Sequence, residues 1–573
     1  MPFVSLNKNA VTAMTVLAMM VTGCGDDPAA EADDLSWIDE MPLTPLATPC
    51  SVASGTGFAT ITLATAGESV LVSLRADSAI LVNGEVCALA GVMKKLTITG
   101  GTGADTVIID FLNGTFLAGS TTTANIIIDM VSGTDAFKLR GRNSATTGDV
   151  LTFGAGTAGV VAVNFAADLN KDITVANADT FAVATGNGID TVTGAGGAGT
   201  GAAFTAALSI NGGALVDTLT GGDGADTISG GAGNDIISGG LGADILNGDA
   251  DNDTFNEGAV TNGADTFNGG TGTDTVSYAL RTAIVAVTIA ASGGTADDGE
   301  STETDDVIDD VEVVTGGTLA DTMTCQAAGC TLNGGAGDDI LTGAAGADTL
   351  NGGVGDDTFV EGTAASGGDV FNGGAGTDTV DYSGRSVALL VTMDGVAADD
   401  GESGELDDVN VDVEDLLGGT VADIITGNLN NNVITGGTGN DTLSGGAGDD
   451  TFRERAVTSG ADSFDGGAGV DTVDYSARVA ALTVTMDGVA ADDGLGGETD
   501  NVSATVENLL GGTAGDTITG NLLDNNIDGG LGADTIVGGA GDDILDGAGG
   551  TDSVTGGDGD DICIGETLVT CEL

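Results

Sequence analysis

Large apolar side chains recur at every ninth position over long stretches of the chain. From Gly221 the sequence reads GGDGADTIS, GGAGNDIIS and GGLGADILN, and a weaker unit, GDADNDTFN, ends at Asn256. Each unit has a single large apolar residue at its eighth position, for example Ile228 and Ile237, among glycines and polar residues. Such a short fixed period predicts a thin, turn-rich solenoid in which the eighth position is the only core position.

The same nine-residue frame returns further along the chain. It extends back to 185–193 and 212–220, and it recurs at 316–360, 418–453 and 511–564. The sixth position of the unit is usually aspartate, whose carboxylate oxygens are ligands that hard cations prefer. We therefore take these aspartates as candidate metal ligands: Asp226, Asp235, Asp244, Asp253, Asp274, Asp339, Asp348, Asp357, Asp378, Asp441, Asp450, Asp471, Asp534, Asp543, Asp552 and Asp561.

Composition and charge narrow the possible chemistry. The 573 residues include 100 glycines, 5 prolines and 3% aromatic residues, so the chain is rich in turns and poor in the side chains of an ordinary core. The formal net charge is −74, which argues against nucleic acid as a partner, because phosphate binding needs clustered lysine and arginine. The chain has no histidine, which excludes a Ser-His-Asp triad and most zinc sites. Metal chemistry would therefore use oxygen ligands, which favours Ca²⁺.

The nine-residue units resemble the RTX family, whose signature is GGxGxDxUx with U a large aliphatic residue. The resemblance implies an all-β fold, a parallel β-roll or β-solenoid, in which each unit makes a turn and a short strand and two units make one coil. It also implies that the sixth-position aspartates and the turn carbonyls bind several Ca²⁺ ions. Alternate units would then stack, with Asp226 beside Asp244 and Asp235 beside Asp253. The alternative is a metal-free solenoid whose aspartates only hydrogen-bond their own turns.

Some units depart from the tandem pattern. GGTGADTVI at 100–108 matches the signature but has no neighbouring copies, so the sequence leaves its calcium binding open. Asn432 and Asn525 stand at the aspartate position, and so does Cys330 in a unit where Cys325 replaces the first glycine. A disulfide between these two cysteines could substitute there for a lost ion.

A longer repeat lies over the nonapeptides. The segments 263–281, 367–385 and 460–478 resemble one another, and each follows a three-residue shift of the nonapeptide frame. Each holds one of the three tyrosines, followed three positions later by an arginine. We expect the ring to cap a coil and the arginine to meet a carboxylate, although the pair could instead bind carbohydrate or a partner. The pairs are Tyr278/Arg281, Tyr382/Arg385 and Tyr475/Arg478, and the candidate carboxylates are Glu312, Glu414 and Glu507.

An apolar strand and an acidic loop follow each tyrosine. The loops include MDGVAADDGE at 393–402 and MDGVAADDG at 486–494. Two interpretations remain open, a further calcium site or a solvated acidic turn. Neither loop has the glycine and glutamate spacing of an EF-hand.

The N-terminal part carries export and β-strand signals. Residues 1–23 read as a signal peptide, and Val21-Thr22-Gly23-Cys24 resembles the lipobox of bacterial lipoproteins, in which the cysteine is lipidated; an ordinary signal peptide is the alternative. Residues 50–200 show alternating strand patterns and are interpreted as an irregular β-rich domain or a degenerate solenoid. The other six cysteines suggest disulfides of an exported protein, with free thiols as the alternative, and neighbours would pair as Cys50–Cys87, Cys325–Cys330 and Cys563–Cys571.

Domain boundaries and function follow from these patterns. We expect an extracellular or surface-anchored calcium-binding protein whose β-roll folds on binding Ca²⁺ and whose role is structural or adhesive. Its partners would be calcium ions and surface polysaccharide or other cells; it would bind no nucleic acid and touch a membrane only through a lipid anchor at Cys24. The alternative is a polysaccharide hydrolase or lyase with catalytic carboxylates in 50–200, where no catalytic constellation is recognisable. The expected domains are 1–23 (signal), 24–49 (acidic linker), 50–200 (β-rich), 201–262 (first RTX block), and the long repeats with RTX blocks at 263–366, 367–459 and 460–573.

Overall fold

The computed structural model describes most of the chain from residue 51 to residue 571. The predicted signal peptide, Cys24, the linker 24–49 and Cys50 lie outside the described residues. Within the described span the gaps are 53–57, 64–68, 75–78, 83–84, 90–94, 111–125, 142–148, 156–159, 165–172, 198–199, 290–297, 326–328, 344, 397–398, 490–492, 566 and 570.

Every regular element in the described residues is a β-strand, and the strands fall into two compact units, 1–276 and 277–573. In the part of the chain that the structure covers, no helix is long and apolar enough to cross a membrane. The strands that begin in the first unit are Ser51–Val52, Phe58–Thr62, Ser69–Leu74, Ala79–Val82, Glu85–Leu89, Lys95–Thr99, Thr106–Asp110, Ile126–Asp129, Ala136–Arg140, Val150–Ala155, Val160–Asn164, Ile173–Ala176, Thr180–Ala184, Thr191–Thr193, Leu208–Ala214, Thr218–Thr220, Thr227–Ala232, Ile236–Ser238, Ile245–Ala250, Thr254–Asn256, Thr266–Thr271 and Thr275–Ser277.

In the first unit these strands pair in parallel in two columns. One column runs from Ser69–Leu74 through one strand of each successive coil as far as Thr266–Thr271. The other runs from Phe58–Thr62 to Thr254–Asn256 and includes an antiparallel hairpin of Val150–Ala155 and Val160–Asn164. The region 50–200 is therefore stacked in the manner of a degenerate solenoid, with hairpins as its irregular parts.

The second unit repeats this construction with shorter strands. They are Val285–Ile289, Gly299–Glu300, Asp306–Val307, Val313–Thr315, Thr322–Cys325, Thr331–Ala336, Ile340–Thr342, Thr349–Val354, Thr358–Val360, Val370–Ala375, Thr379–Asp381, Leu389–Thr392, Gly401–Glu402, Asp408–Val409, Asp415–Leu417, Ile424–Thr426, Val433–Thr435, Thr442–Ala447, Thr451–Arg453, Ser463–Ala468, Thr472–Asp474, Leu482–Thr485, Gly494–Leu495, Asn501–Val502, Asn508–Leu510, Thr517–Thr519, Asn526–Asp528, Leu531–Gly532, Thr535–Ala540, Ile544–Asp546, Gly549–Gly550, Ser553–Asp558, Ile562–Ile564 and Thr567–Val569.

One parallel sheet runs through the second unit, while its other strands form successive groups. The continuous sheet has 14 strands in the described residues and ends at Ile562–Ile564. Most of the other strands form one group between 313 and 409, a second between 389 and 502 and a third between 482 and 569. Among the described strands, Leu531–Gly532 and Gly549–Gly550 pair only with each other. The last two groups each begin with a strand of a long repeat that is paired antiparallel to a strand of its acidic loop.

The eighth position of the nonapeptide forms the core, as the sequence predicts. Ile228 pairs in register with Leu246, and Ile237 pairs with Phe255. All four side chains are fully buried. The register of 18 residues between Ile228 and Leu246 confirms that two units make one coil. Because burying one such side chain contributes about 1.5–3 kcal/mol, the thin core stabilises the roll mainly through repetition.

Candidate metal centre

Each nonapeptide turn brings carboxylate and backbone oxygens to one point, as the unit 230–238 illustrates. A Cβ at Gly230 would collide with Oδ2 of Asp235 and would lie 2.9 Å from the carbonyl oxygen of Gly248 on the next coil. Gly231 has a φ of 109°, which residues with a side chain rarely adopt. The first two glycines therefore leave a cradle lined with oxygens beside the aspartate. The same pair of oxygens meets the absent Cβ at Gly221, Gly248, Gly334 and Gly538.

The aspartates of successive coils are joined in ladders. Oδ1 of Asp235 accepts a hydrogen bond from the backbone N–H of Asp217 at 2.7 Å, and the N–H of Asp235 donates to Oδ1 of Asp253 at 2.7 Å. Asp226 and Asp244 are joined in the same way at 2.7 Å, so both predicted stackings are confirmed. All the aspartates singled out in the sequence take part in such bonds, and each is at most 2% exposed: Asp226, Asp235, Asp244, Asp253, Asp274, Asp339, Asp348, Asp357, Asp378, Asp441, Asp450, Asp471, Asp534, Asp543, Asp552 and Asp561.

The second carboxylate oxygen of most ladder aspartates is buried without a hydrogen bond. A buried carboxylate oxygen with no partner is costly, because it has lost water and gained nothing in exchange. Each of these oxygens faces the glycine cradle of its own turn wherever that cradle is intact, as at Gly230. Among the described residues, the buried oxygens without a hydrogen bond are Oδ2 of Asp235, Asp244, Asp253, Asp339, Asp357, Asp378, Asp441, Asp450, Asp471, Asp534, Asp543 and Asp561.

Burial disfavours the ionised form of many ladder carboxylates and so raises their pKa values. It raises the pKa of Asp226 and Asp235 to about 6, and that of Asp244 and Asp253 to about 7, against the lowering effect of the backbone N–H groups. The pKa of Asp217 is raised to about 8 by burial, with a smaller contribution from the charges of neighbouring aspartates. A cation beside these carboxylates would offset both the cost of burying their charge and the repulsion between neighbouring aspartates.

The donors present fit a calcium ion. They are carboxylate and carbonyl oxygens in a flexible arrangement, which suits Ca²⁺ better than Mg²⁺ or a transition metal. Asp235 with the Gly248 carbonyl is one such pair of donors. No sulfur or imidazole takes part in the cradle at Gly230.

The ladders extend beyond the residues that the sequence pattern identified. Asp105, in the isolated unit at 100–108, donates its N–H to Oδ1 of Asp135, so this unit does have a stacked neighbour. The usable signal is an aspartate directly before a strand, even where the glycines of the unit are lost. The further ladder aspartates are Asp105, Asp135, Asp149, Asp190, Asp217, Asp265, Asp321, Asp369, Asp407, Asp423, Asp462, Asp500 and Asp516.

Two glutamates stand on the ladder and not beside an arginine, contrary to the sequence prediction. Oε2 of Glu414 accepts the N–H of Asp378 at 3.0 Å, and Oε2 of Glu507 accepts that of Asp471 at 2.8 Å. Each glutamate directly precedes a strand, Asp415–Leu417 or Asn508–Leu510, and so stands at the aspartate position of its rung. Arg281, the partner expected for Glu312, forms ion pairs with Glu300 and Glu303.

The two units with asparagine at the aspartate position keep the glycine cradle and add hydrogen bonds from the side-chain amide. The side-chain amide of Asn432 donates to the carbonyl of Glu414 at 2.9 Å, and that of Asn525 donates to the carbonyl of Glu507 at 3.1 Å. The side-chain oxygens of Asn432 and Asn525 face the cradles at Gly427 and Gly520, so each of these cradles keeps an oxygen but lacks the carboxylate charge.

Two of the three expected disulfides are present in the described residues. Cys325 is bonded to Cys330 and Cys563 to Cys571. The N–H of Cys330 still donates to Oδ1 of Asp348 at 2.8 Å, so the first disulfide takes the place of a glycine and an aspartate on one rung. The pairing of Cys50 with Cys87 involves side chains outside the described residues.

The tyrosine–arginine pairs lie inside the stack, so the expectation that they cap its end is wrong. Tyr382 is fully buried and packs edge-on against Phe371, with ring centroids 6.2 Å apart. The strand before it, Thr379–Asp381, pairs with strands on both sides. The tyrosine hydroxyl donates to Oδ2 of Asp407 at 3.0 Å.

Each arginine meets carboxylates, as expected, but they come from other segments. Arg385 is fully buried and forms ion pairs with Glu361, with Glu405 at 2.6 Å and with Glu402 at 3.3 Å. Burial and the charges of Asp369 and Asp407 nevertheless raise the pKa of Glu361 to about 8.

The acidic loops contribute buried acceptors and are not simply solvated. Asp400 is 3% exposed, and its oxygens accept the N–H groups of Thr392 and Val409 at 2.5 and 2.9 Å. Asp493 makes the same two bonds to Thr485 and Val502. These carboxylates hold the loop against the strand that follows the tyrosine.

Comparison with known proteins agrees with this geometry. No curated protein matches the chain. A family model described as RTX calcium-binding nonapeptide repeat (4 copies) matches residues 211–246, 220–255, 260–278, 331–359, 363–384, 417–452, 457–477, 510–545, 519–554 and 538–567. Between residues 211 and 567 the chain therefore carries RTX calcium-binding nonapeptide repeats, which form a parallel β-roll.

Proposed function

We propose that this protein is an exported, calcium-binding structural or adhesive protein whose β-roll forms when Ca²⁺ fills the aspartate ladders. The aspartates named above would supply carboxylate ligands, and the glycine carbonyls of the adjacent coil would complete each site. The observation that carries the proposal is the row of buried Oδ2 atoms without hydrogen bonds, each of which needs a cation or a proton.

The energetics support coupled binding and folding. Extracellular-type calcium sites have dissociation constants of about 10⁻⁴–10⁻³ M, equivalent to roughly −4 to −5.5 kcal/mol per site at standard state. A typical folding stability is only about 5–15 kcal/mol, so a few filled sites decide whether the roll forms. Without calcium, the ladder carboxylates would repel one another, and a core only one residue deep would have little hydrophobic stabilisation to oppose this repulsion.

Export is supported by the disulfides and by the N-terminal sequence. Disulfides persist in oxidising compartments, and Cys325–Cys330 and Cys563–Cys571 are formed. The lipobox-like segment before Cys24 would anchor the protein at the outer membrane or cell surface; without lipidation the protein would be extracellular. Mass spectrometry of the native N-terminus distinguishes an acylated Cys24 from an ordinary processed end.

The folding proposal is tested by circular dichroism during a calcium titration. We expect a disordered spectrum in EGTA and a β-rich spectrum in millimolar calcium, with magnesium much less effective at the same concentration. A protein that keeps its full β signal in EGTA would refute calcium-dependent folding.

The adhesive role needs a separate experiment. Purified protein is incubated with surface polysaccharide or whole bacterial cells, with and without calcium, and the bound fraction is measured. Calcium-dependent retention supports adhesion. If no such retention is seen while calcium still induces folding, the protein is a calcium-binding structural component without this adhesive activity.

A further inference from the structure

The second long repeat gathers five carboxylates around a single guanidinium. Arg385 forms ion pairs with Glu361, Glu402 and Glu405. Asp369 and Asp407 join the same cluster, because the N–H of Asp369 donates to Oδ1 of Asp407 at 2.9 Å and Ser366 is hydrogen-bonded to Asp369 and Glu405. All except Glu402 are among the buried residues of the unit.

One positive charge cannot neutralise this cluster. Arg385 lies among carboxylates that have lost their water, and burying uncompensated charge is strongly unfavourable. The hydroxyl groups of Tyr382 and Ser366 each donate only one proton and bring no charge. A second cation is therefore required when the carboxylates are ionised.

The positions of the oxygens point to the kind of cation. One carboxylate oxygen from each of Glu361, Glu405 and Asp407 lies within 4.8 Å of the other two. Ca²⁺–oxygen distances of about 2.3–2.6 Å place ligands on opposite sides of the ion roughly 5 Å apart, so a single ion can reach all three. Oε1 of Glu361 makes no hydrogen bond, although the residue is only 4% exposed.

We propose that Glu361, Glu405 and Asp407 bind one Ca²⁺ ion beside Arg385, at a site separate from the glycine cradles of the nonapeptides. Glu361 supplies its unbonded Oε1, and Asp407 also stands on the aspartate ladder through the N–H of Asp369. The ion and the guanidinium share the carboxylates, and the absence of nitrogen and sulfur ligands selects calcium over transition metals.

The third long repeat provides a natural comparison. Leu495 stands where the second repeat has Glu402, so Arg478 has one carboxylate fewer around it. Arg478 instead donates to the carbonyl of Val457 at 2.7 Å, besides its ion pairs with Glu454 and Glu498. Glu454 is the counterpart of Glu361, which makes it a matched position for substitution.

Terbium luminescence tests the site in the full chain. Tb³⁺ replaces Ca²⁺, and light absorbed by a nearby tyrosine excites it. In a parent protein with Trp37→Phe, Tyr278→Phe and Tyr475→Phe, Tyr382 is the only sensitiser, and its hydroxyl contacts the proposed ligand Asp407. We expect Glu361→Gln to reduce the tyrosine-excited terbium emission at least twofold and Glu454→Gln to leave it unchanged.

The experiment distinguishes a failure of the proposed site at Glu361 from a failure of the ladder proposal, on which this site rests. Emission that is unchanged in Glu361→Gln, in a protein whose circular dichroism still responds to calcium, overturns this site and leaves the ladder proposal intact. An unsubstituted protein that shows no calcium response refutes the ladder proposal instead. If Glu361→Gln does not fold, Glu361→Asp replaces it: shortening the side chain should weaken terbium binding at least threefold, and an unchanged affinity overturns the site.

Discussion

Replacing Asp235 by asparagine should change the stability of the roll in opposite directions with and without calcium. The asparagine keeps an oxygen at Oδ1, so it can still accept the N–H of Asp217. It loses the charge and turns the unbonded Oδ2 into an N–H₂ group. The substitution therefore isolates the contribution of the cation from that of the ladder hydrogen bond.

The magnitudes follow from the site. At about 10 mM calcium, a site with a dissociation constant of about 10⁻⁴–10⁻³ M stabilises the fold by roughly 1.4–2.7 kcal/mol, which Asp235→Asn should remove. Without calcium, burial raises the pKa of Asp235 from 3.8 to about 6. Keeping it ionised at neutral pH then costs on the order of 3 kcal/mol, which the neutral asparagine avoids.

The assay compares Asp235→Asn with Asp223→Asn, which removes an exposed carboxylate from the preceding nonapeptide turn. Urea unfolding in calcium gives the loss of stability. In EGTA, the sodium sulfate concentration that induces the β signal gives the gain, because sulfate favours compact states. Equal behaviour of the two variants, or a change of the same sign in both conditions, would refute the assignment of Asp235 to a cation site.

Three further predictions test the ladders and the tyrosine cluster. Folded-state pKa values of about 6 and 7 at Asp235 and Asp244 exceed the usual aspartate pKa of 3.8, so the folded form binds protons more tightly than the unfolded form. The calcium-free roll should therefore lose stability as the pH rises from about 4 to about 7, and less sulfate should fold it at pH 5 than at pH 8. Tyr382→Phe removes the hydroxyl that donates to the buried Oδ2 of Asp407 and should cost about 1–3 kcal/mol in urea unfolding; an unchanged unfolding midpoint would contradict the role of this bond. Gly230→Ala fills the cradle and should cost about 1–3 kcal/mol and one bound ion by native mass spectrometry, whereas Gly258→Ala, with open space around it, should do neither.

The sequence predicts the roll and its repeating ligands because both are local properties. The eighth-position residues, the aspartates and the 18-residue stacking of Asp226 on Asp244 follow from a period that can be counted along the chain. The three-residue shifts are absorbed without breaking the stack, because Asp244 bonds to Asp265, 21 residues later.

The side-chain contacts within the long repeats could not be predicted by counting the nonapeptide period. Asp369 and Asp407 are bonded across 38 residues, and Arg385 reaches Glu361 across 24, so no period connects them. Glu414 was expected beside an arginine because its recurrence suggested a pair, whereas it directly precedes a strand and accepts the ladder bond from the N–H of Asp378. Pattern reasoning also cannot distinguish a solvated acidic loop from one whose carboxylates bind backbone N–H groups, as at Asp400.

The uncharged side chains of Asn432 and Asn525 interrupt the row of carboxylates along the long sheet of the second unit. Along an uninterrupted ladder each ion screens the carboxylates of its nearest neighbours, so occupancy should spread between adjacent rungs as in a one-dimensional lattice. An amide carries no charge to be screened, and such spreading stops there. The number of cooperative steps in a calcium titration is then set by the positions of two asparagines, and not by the number of aspartates.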